Sequence, residues 1–443
     1  MKEILIIGAG RSATTLIDYL LERCGQFDWR VTICDMNLDL ANSKTGGSDF
    51  AKAEALNIND AAKRSALISK SDVVVSMLPP FMHTKLVEDC IRYKTPMVNA
   101  SYVSEEMQSY QDEVSKAGIL FLCEMGLDPG IDHMSAMELM DQIRGEGGKI
   151  KGFKSYTGGL VAPESDDNPW HYKFSWSPRN VVVAGQGTAQ FVEDGHYRFI
   201  PYHRIFTRAR PIFVPGMGEW ESYANRDSLS YRDKYGLHDV ETLYRGTIRH
   251  RGFCKAWNVL VQLGMTDSHF SIPDDKHFTY RDLLESFCNS GPEPLRKRIA
   301  HMTDSPIDDH IIDQIEWLGL LDEVPIDPAF KSPADVLEDI LLKKWKLRAE
   351  DKDMIIMQHE IDYTRDNKAY QLKSTLLEIG EDNVNTAMSR LVGLPMAVYV
   401  KHLLTEGTSL QGIHVPVVRD IYQPVLKELA TLGVTFSDVT EEK

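Results

Sequence analysis

The chain has no CxxC pair. Its six cysteines, Cys24, Cys34, Cys90, Cys123, Cys254 and Cys288, are scattered through 443 residues. That spacing excludes a dense disulfide framework. With no HExxH and no Cys/His cluster at zinc spacing, no metal site is expected. Long apolar runs are missing as well, and none approaches the roughly 18 residues that span a bilayer. An excess of positive charge is also absent. Lys+Arg total 49 against Asp+Glu 65, a net −16, which argues against nucleic acid or an anionic membrane surface as a partner. No internal repeat or low-complexity linker interrupts the sequence. The first residues run straight into Glu3–Ile7 without a basic, apolar leader pattern. A cytoplasmic, soluble protein acting on a small molecule is expected.

What is present is a globular composition, 43% hydrophobic and 26% charged, in a chain long enough for about three domains. Ile4–Ile7 is a continuous apolar run, the pattern of a strand buried on both faces of a parallel sheet. It leads into Gly8-Ala9-Gly10-Arg11-Ser12-Ala13, which fits G-x-G-x-x-A, and then into helical spacing at Leu16, Ile17, Leu20 and Leu21. A second strand, Arg30–Cys34, ends on Asp35. Glycines in such a turn let a pyrophosphate approach the backbone at a helix N-terminus, so this region reads as a dinucleotide site. Gly8, Gly10, Arg11, Ser12, Ala13 and Asp35 are its candidate contacts. A carboxylate at Asp35 accepts bonds from ribose hydroxyls and repels a 2′-phosphate, so NAD is favoured over NADP. The alternative is that Asp35 simply begins a turn. Further buried strands fall at 72–77, 96–99 and 118–122, with helices around 81–92 and 104–116. Leu78, Pro79, Ser101 and Tyr102 follow strand ends, where open parallel sheets bind ligands.

The pattern changes after Glu124–His133, where Pro129 and Gly130 precede a helix at about 132–143. Asp128 either caps that helix or holds a carboxylate near a cleft. Strands are expected at 150–157, 180–184, 241–250, 353–363 and 369–377, the last two forming a hairpin about a polar turn at 364–368. Residues 255–350 read as helical, and two further helices run through 387–392 and near 419–432. The fold class is therefore α/β, a doubly wound half followed by a mixed, partly antiparallel sheet and a helical region. Lys173, Arg226, Arg245 and Arg249 are the cationic candidates of this second half. Thr247 and Arg249 alternate along one strand and share a face, a plausible carboxylate cradle.

Several segments together are similar to saccharopine dehydrogenases of the glutamate-forming type. They are Val98–Ser104, Gly126–His133 (GLDPGIDH), Ser155–Glu164, Asn168–Ser177 (containing YKFSW), Asn225–Ser228 and Arg245–Arg249. The resemblance covers nearly the whole chain and implies three parts. These are a Rossmann domain at 1–128 completed by 385–443, a substrate-binding and dimerising domain at 129–255 and 350–384, and a small helical domain at 256–349. A homodimer is implied. So is a reversible reaction: saccharopine, water and oxidised nicotinamide give glutamate, 2-aminoadipate 6-semialdehyde and reduced cofactor. Carried across, Ser101, Tyr102, Asp128, Arg226, Thr247 and Arg249 line the substrate site, Asp128 and Tyr102 serve catalysis, and Lys173 lies in a cleft segment beside the cofactor. Saccharopine carries three carboxylates, so an acidic protein needs well-placed arginines to hold it. Its amine, with an alkylammonium pKa of about 10.4, must be neutral before hydride leaves.

Two departures from the family pattern stand out. Thr157 occupies a position where fungal members carry Cys, and a threonine hydroxyl is too weak an acid for that role. Fungal members also prefer NADP and carry an Arg near Asp35, which places this chain with NAD users. The rival readings are a carboxynorspermidine dehydrogenase-like secondary-amine reductase, against which Arg226 and Arg249 weigh, and a non-catalytic dinucleotide-binding protein.

Overall fold

The structure is a computed structural model that describes residues 1–183, 186–302 and 308–443. Its contacts divide the chain into two compact units. The first comprises Met1–Lys149 with Gly380–Phe436, the second Ile150–Ile379 with Ser437–Lys443.

In the first unit the apolar runs form six strands: β1 (Lys2–Ile7), β2 (Trp29–Asp35), β3 (Ala51–Ala55), β4 (Val73–Ser76), β5 (Met97–Asn99) and β6 (Leu120–Leu122). All are parallel, in the order β6-β5-β4-β1-β2-β3, and a short strand, Gly412–His414, extends the sheet beyond β6. The strand order reverses between β1 and β4, the point at which doubly wound sheets bind dinucleotides. Helix α1 (Thr14–Phe27) buries Leu16, Ile17, Leu20 and Cys24 and ends at Asp28, whose φ of 56° is left-handed. The helix Ala387–Thr405 lies against it. A Cβ on Gly393 would come within 2.9 Å of the Leu16 nitrogen, so glycine permits the close approach.

Two expected helices of this unit are composite. The segment near 81–92 is a 3₁₀ turn, Pro80–Leu86, followed by a helix, Val87–Tyr93. The one near 104–116 is two short helices meeting at Tyr110. Strand β3, with the sequence AKAEA, has no β-branched or aromatic residue to announce it and sits at the sheet edge.

The second unit is built on a mixed sheet. Its strands are β7 (Lys149–Val161), β8 (Ala189–Glu193), β9 (His196–Ile200), β10 (Arg210–Val214), β11 (Gly218–Ala224), β12 (Thr242–Arg249), β13 (Asp353–Arg365) and β14 (Lys368–Ile379), with a terminal strand at Ser437–Glu442. β7 and β12 run parallel, while β10, β11 and β12 alternate in direction and β13 and β14 form the expected hairpin.

The strand expected at 180–184 is a correction. Pro178 opens a short helix, Pro178–Val182, and residue 184 lies outside the described residues. Proline at the first helical position pre-sets the backbone, and that outweighs the β-branched valines. Strands β8 to β11 went unforeseen, although Asp194 (φ 51°) and Gly195 (φ 75°) make the two-residue turn that joins β8 to β9.

The helices Phe253–Gln262, Tyr280–Phe287, Leu295–His301, Asp309–Trp317 and Pro333–Lys344 share one apolar core with the segment around Trp170 and with β8 and β12. At its centre Trp170 meets Phe253, Trp257 and Trp345 at ring-centroid distances of 5.9, 6.2 and 5.4 Å. Among the described residues no helix is long and apolar enough to cross a membrane.

Candidate active site

The turn after β1 is shaped by Gly8, whose φ is +107°. A Cβ there would stand 2.8 Å from the Met77 carbonyl oxygen, at the end of β4, so no other residue fits. Gly10 has open space where its Cβ would be, which leaves its backbone accessible to a large ligand group. Arg11–Ala13 form the 3₁₀ turn that opens α1, and Ala13 is buried beneath it. Leu78 is half-buried and Pro79 exposed at the neighbouring strand end. The structure thus brings the turn after β1, the end of β4 and the start of α1 together, and a helix N-terminus of this kind favours an anion.

Asp35 is placed differently from a carboxylate reserved for ribose. Its Oδ2 accepts from the Ala9 N–H at 2.9 Å, and its Oδ1 accepts from the Asn37 N–H at 2.9 Å. The side chain braces the glycine turn against the turn after β2. That is reason enough for an aspartate, whatever the cofactor.

A second constellation lies on the loops after β5 and β6. The Tyr102 hydroxyl donates to Asp128 Oδ1 at 3.0 Å. Asp128 is half-buried and precedes a tight loop in which Gly130 (φ +148°) packs on Gly126, leaving no room for a Cβ. Glu124 ties the two loops together. One of its oxygens accepts from the Val103 N–H at 3.2 Å, and the other lies 2.8 Å from His133 Nε2. Asp132 accepts from the Gly130 N–H at 2.6 Å. Glu124, Asp132 and His133 are all fully buried, so the Tyr102–Asp128 pair stands on a polar framework with little freedom to move.

Sequence reasoning also missed His83. Its ring nitrogens lie 2.7 Å from Ser76 Oγ and 2.8 Å from Ser101 Oγ. Burial pushes its pKa down to about 4, so the ring is neutral at pH 7. The sole signal for it is its position in the turn following β4.

The second unit brings Thr157, Thr247 and Tyr223 side by side across β7, β12 and β11. Arg249 lies two residues beyond Thr247 on the same face. Its guanidinium is only 3% exposed, surrounded by the rings of Tyr172, Tyr223 and Phe253 at 5.1 to 5.7 Å. It donates to the Ile248 carbonyl and, at 3.4 Å, to the Tyr223 hydroxyl, while Nε has no partner. Among the described residues no carboxylate pairs with it. The Thr157 hydroxyl is likewise buried and unpartnered. Arg226 is exposed in the loop after β11, with a φ of 38°. Arg245 is buried, its guanidinium carbon 4.3 Å above the Tyr231 ring.

Lys173, the candidate expected beside the cofactor, is engaged by carboxylates of the second unit. Its ammonium is 3% exposed and held between Asp351 at 2.7 Å and Asp167 at 2.8 Å. A lysine so engaged is a brace of the second unit, because withdrawing it would strand a buried charge. Asp166, His171 and His250 also gather, with possible ligand atoms within 4.8 Å of one another. The two imidazoles are stacked at 3.9 Å and 28°, so their in-plane lone pairs do not converge on one ion.

Residues 4–122 match the model of the saccharopine dehydrogenase NADP binding domain, and residues 126–434 that of the saccharopine dehydrogenase C-terminal domain. The chain belongs to the saccharopine dehydrogenase family. As a member it is an oxidoreductase acting on a CH–NH group. It is 31% identical over 449 residues to a saccharopine dehydrogenase [NADP(+), L-glutamate-forming] of Schizosaccharomyces pombe, covering 99% of both chains. It is 32% identical to the mitochondrial alpha-aminoadipic semialdehyde synthase of Mus musculus, covering 98% of this chain and 47% of that one. The solved apo saccharopine dehydrogenase (L-Glu forming) of Saccharomyces cerevisiae superposes with a TM-score of 0.87, at 31% identity and full coverage of both chains.

These findings overturn the preference for NAD. The matching domain is the NADP binding domain of saccharopine dehydrogenase, and the S. pombe relative is named for NADP(+). The physical reason lies in Asp35, whose carboxylate is taken up by two backbone N–H groups of the turns it joins. An acid at the end of β2 is thus accounted for by the fold and does not discriminate against a 2′-phosphate on its own.

Proposed function

We propose that this chain is a glutamate-forming saccharopine dehydrogenase that uses NADP. The observation that carries the reading is Arg249, a buried cation on a sheet face with no carboxylate among the described residues to balance it. Holding an unpaired guanidinium out of water is costly. A substrate with three carboxylates supplies what is missing, and a planar guanidinium grips a carboxylate through two parallel bonds. A carboxylated polyamine brings one carboxylate and would leave nothing for Arg226.

Gly8, Gly10 and the turn Arg11–Ala13 hold the pyrophosphate, with Leu78 and Pro79 beside it. Arg11, exposed at the opening of α1, is the cation offered to the 2′-phosphate. When bound, the nicotinamide accepts a hydride from the carbon beside the substrate's secondary amine. Arg249 and Thr247 anchor one substrate carboxylate, and Arg226 contributes a second cation from its loop. Asp128, its rotamer fixed by the Tyr102 hydroxyl, takes the proton from the amine, which must be neutral before hydride departs. That proton passes on to bulk water, which reaches the half-buried Asp128, and the regenerated carboxylate then opposes the positive charge of the iminium and orients the water that attacks it. Water adds across the C=N bond, the C–N bond breaks, and the aldehyde and glutamate separate. Thr157 takes no proton in this scheme.

The working form is a homodimer in the cytoplasm. Tyr197 and Phe199 on β9 and Phe213 on β10 are each more than half exposed, which supports an association surface on that sheet. All six cysteines are free, in keeping with a reducing compartment.

Product analysis tests the reaction. With saccharopine and NADP the account expects glutamate and an aldehyde that amine reagents trap. Release of lysine and 2-oxoglutarate would show cleavage on the other side of the amine and overturn the reading.

A further inference from the structure

Three side chains make a continuous hydrogen-bonded chain at the carboxyl ends of β4 and β5. Ser76 closes β4 and is buried, and its hydroxyl lies 2.7 Å from His83 Nδ1. His83, 3% exposed, reaches Ser101 Oγ with Nε2 at 2.8 Å. Asn99, the last residue of β5, accepts from the Ser101 N–H at 2.9 Å through its own side chain. Backbone and hydroxyl of Ser101 are thus each held by a buried group.

A neutral imidazole has one N–H and one lone pair, so it must donate on one side and accept on the other. Either direction leaves Ser101 with hydrogen-bonding capacity turned away from the ring. Its hydroxyl proton is available in one tautomer and its lone pairs are available in the other. A charged imidazole would donate from both nitrogens, and Ser101 could then no longer donate to the ring. Burial keeps the ring uncharged at pH 7.

We propose that His83 is a positioning residue, one that never touches substrate but fixes the Ser101 hydroxyl in the orientation the substrate requires. The proposal rests on the reading of Ser101 as a substrate-site residue of a saccharopine dehydrogenase. It also gives a use for a buried histidine at a place where a leucine would pack without polar demands. A reacting group misplaced by 1 Å costs on the order of 100-fold in rate, so the effect belongs in kcat and not in cofactor affinity.

The test is a double-mutant cycle on the full-length enzyme with saccharopine and NADP. His83→Leu fills the space without the hydrogen bonds, His83→Gln keeps a polar atom near the Nε2 position, and Ser101→Ala removes the group being held. Expected are a kcat about 10- to 100-fold lower for His83→Leu, an unchanged dissociation constant for NADPH by fluorescence, and recovery of most of the rate in His83→Gln. In the Ser101→Ala background, His83→Leu should cost nothing further. Multiplying effects, or a fully active His83→Leu, would overturn the role of His83 while leaving the enzyme's identity intact. A His83→Leu chain too unstable to assay leaves the decision to His83→Gln in the same cycle, whose residual loss must vanish without Ser101. A wild type inert toward saccharopine with either nicotinamide would remove the underlying reading, and the proposal with it.

Discussion

Arg249 concentrates the energetic problem of the substrate half. A guanidinium among three aromatic rings has its hydration stripped away and receives only a carbonyl and a phenol in return. Replacing it with methionine keeps the stem and removes the charge. The KM for saccharopine should rise by about 100-fold or more, since a hydrogen bond to a charged group is worth about 1.5–3 kcal/mol and two are lost. NADPH binding should not change, which a fluorescence titration checks. An unchanged KM would exclude Arg249 from carboxylate binding.

His83 supplies a pH test that is independent of catalysis. Unfolded, its imidazole titrates near the ordinary value of 6.5, and folded it titrates near 4 because burial disfavours the cation. Between those values the unfolded chain binds more protons, so stability falls as pH drops. The contribution is complete above pH 6.5, lost by pH 4, and amounts to about 3 kcal/mol. Denaturant melts at pH 7 and pH 4 should show a loss smaller by that amount in His83→Gln than in the wild type. Equal losses would contradict the buried, neutral imidazole.

At this scale the sequence discloses residue types better than their occupations. Thr247 and Arg249 are legible as neighbours because strand alternation puts i and i+2 on one face. The bonds that hold Lys173 and Asp35 were not legible because their partners are remote or belong to the backbone. Asp351 is 178 residues away, and the N–H groups of Ala9 and Asn37 leave no mark in a string of side chains. His83 was silent for the same reason, since Ser76 and Ser101 meet it only once the sheet has formed.

Among the elements, the turn after β1 is the least replaceable. Gly8→Ala forces a Cβ to 2.8 Å from the Met77 carbonyl in a conformation L-residues rarely adopt. It should abolish measurable NADPH binding and lower stability by about 1–3 kcal/mol. Gly10→Ala meets open space and should leave stability unchanged while weakening the cofactor, since glycine in this turn lets a pyrophosphate approach the backbone. Calorimetry separates the two, and equal behaviour would show that the turn is not read correctly.

Buried parallel strands such as β1 and β4 are legible from continuous apolar runs. β3, with alanines and charges at a sheet edge, has no such signature. The helix Pro178–Val182 and the unforeseen β8–β11 show the limit of short windows. A single proline outweighs three valines, and strands of mixed polarity are made by the neighbours they pair with.

For the whole molecule, chain order and spatial order diverge where the sequence is least informative. Residues 380–436 return to the first unit, where Gly393 lets a helix lie against α1, while Ser437–Glu442 pair with β14 in the second. The helices between 253 and 344 share a core with strands of the second unit around Trp170, Trp257 and Trp345. Nothing in local periodicity announces such long-range closures. What local motifs did announce is a glycine turn, which lies at a strand order reversal, and the two loops that carry Tyr102 and Asp128.

The most direct test of the central claim is the appearance of near-ultraviolet absorbance from reduced nicotinamide, with pure protein, saccharopine, and NADP or NAD in separate cuvettes. The account predicts reduction of NADP with a kcat/KM above that for NAD. Failure to reduce NADP, in a protein that still binds it, would contradict the account.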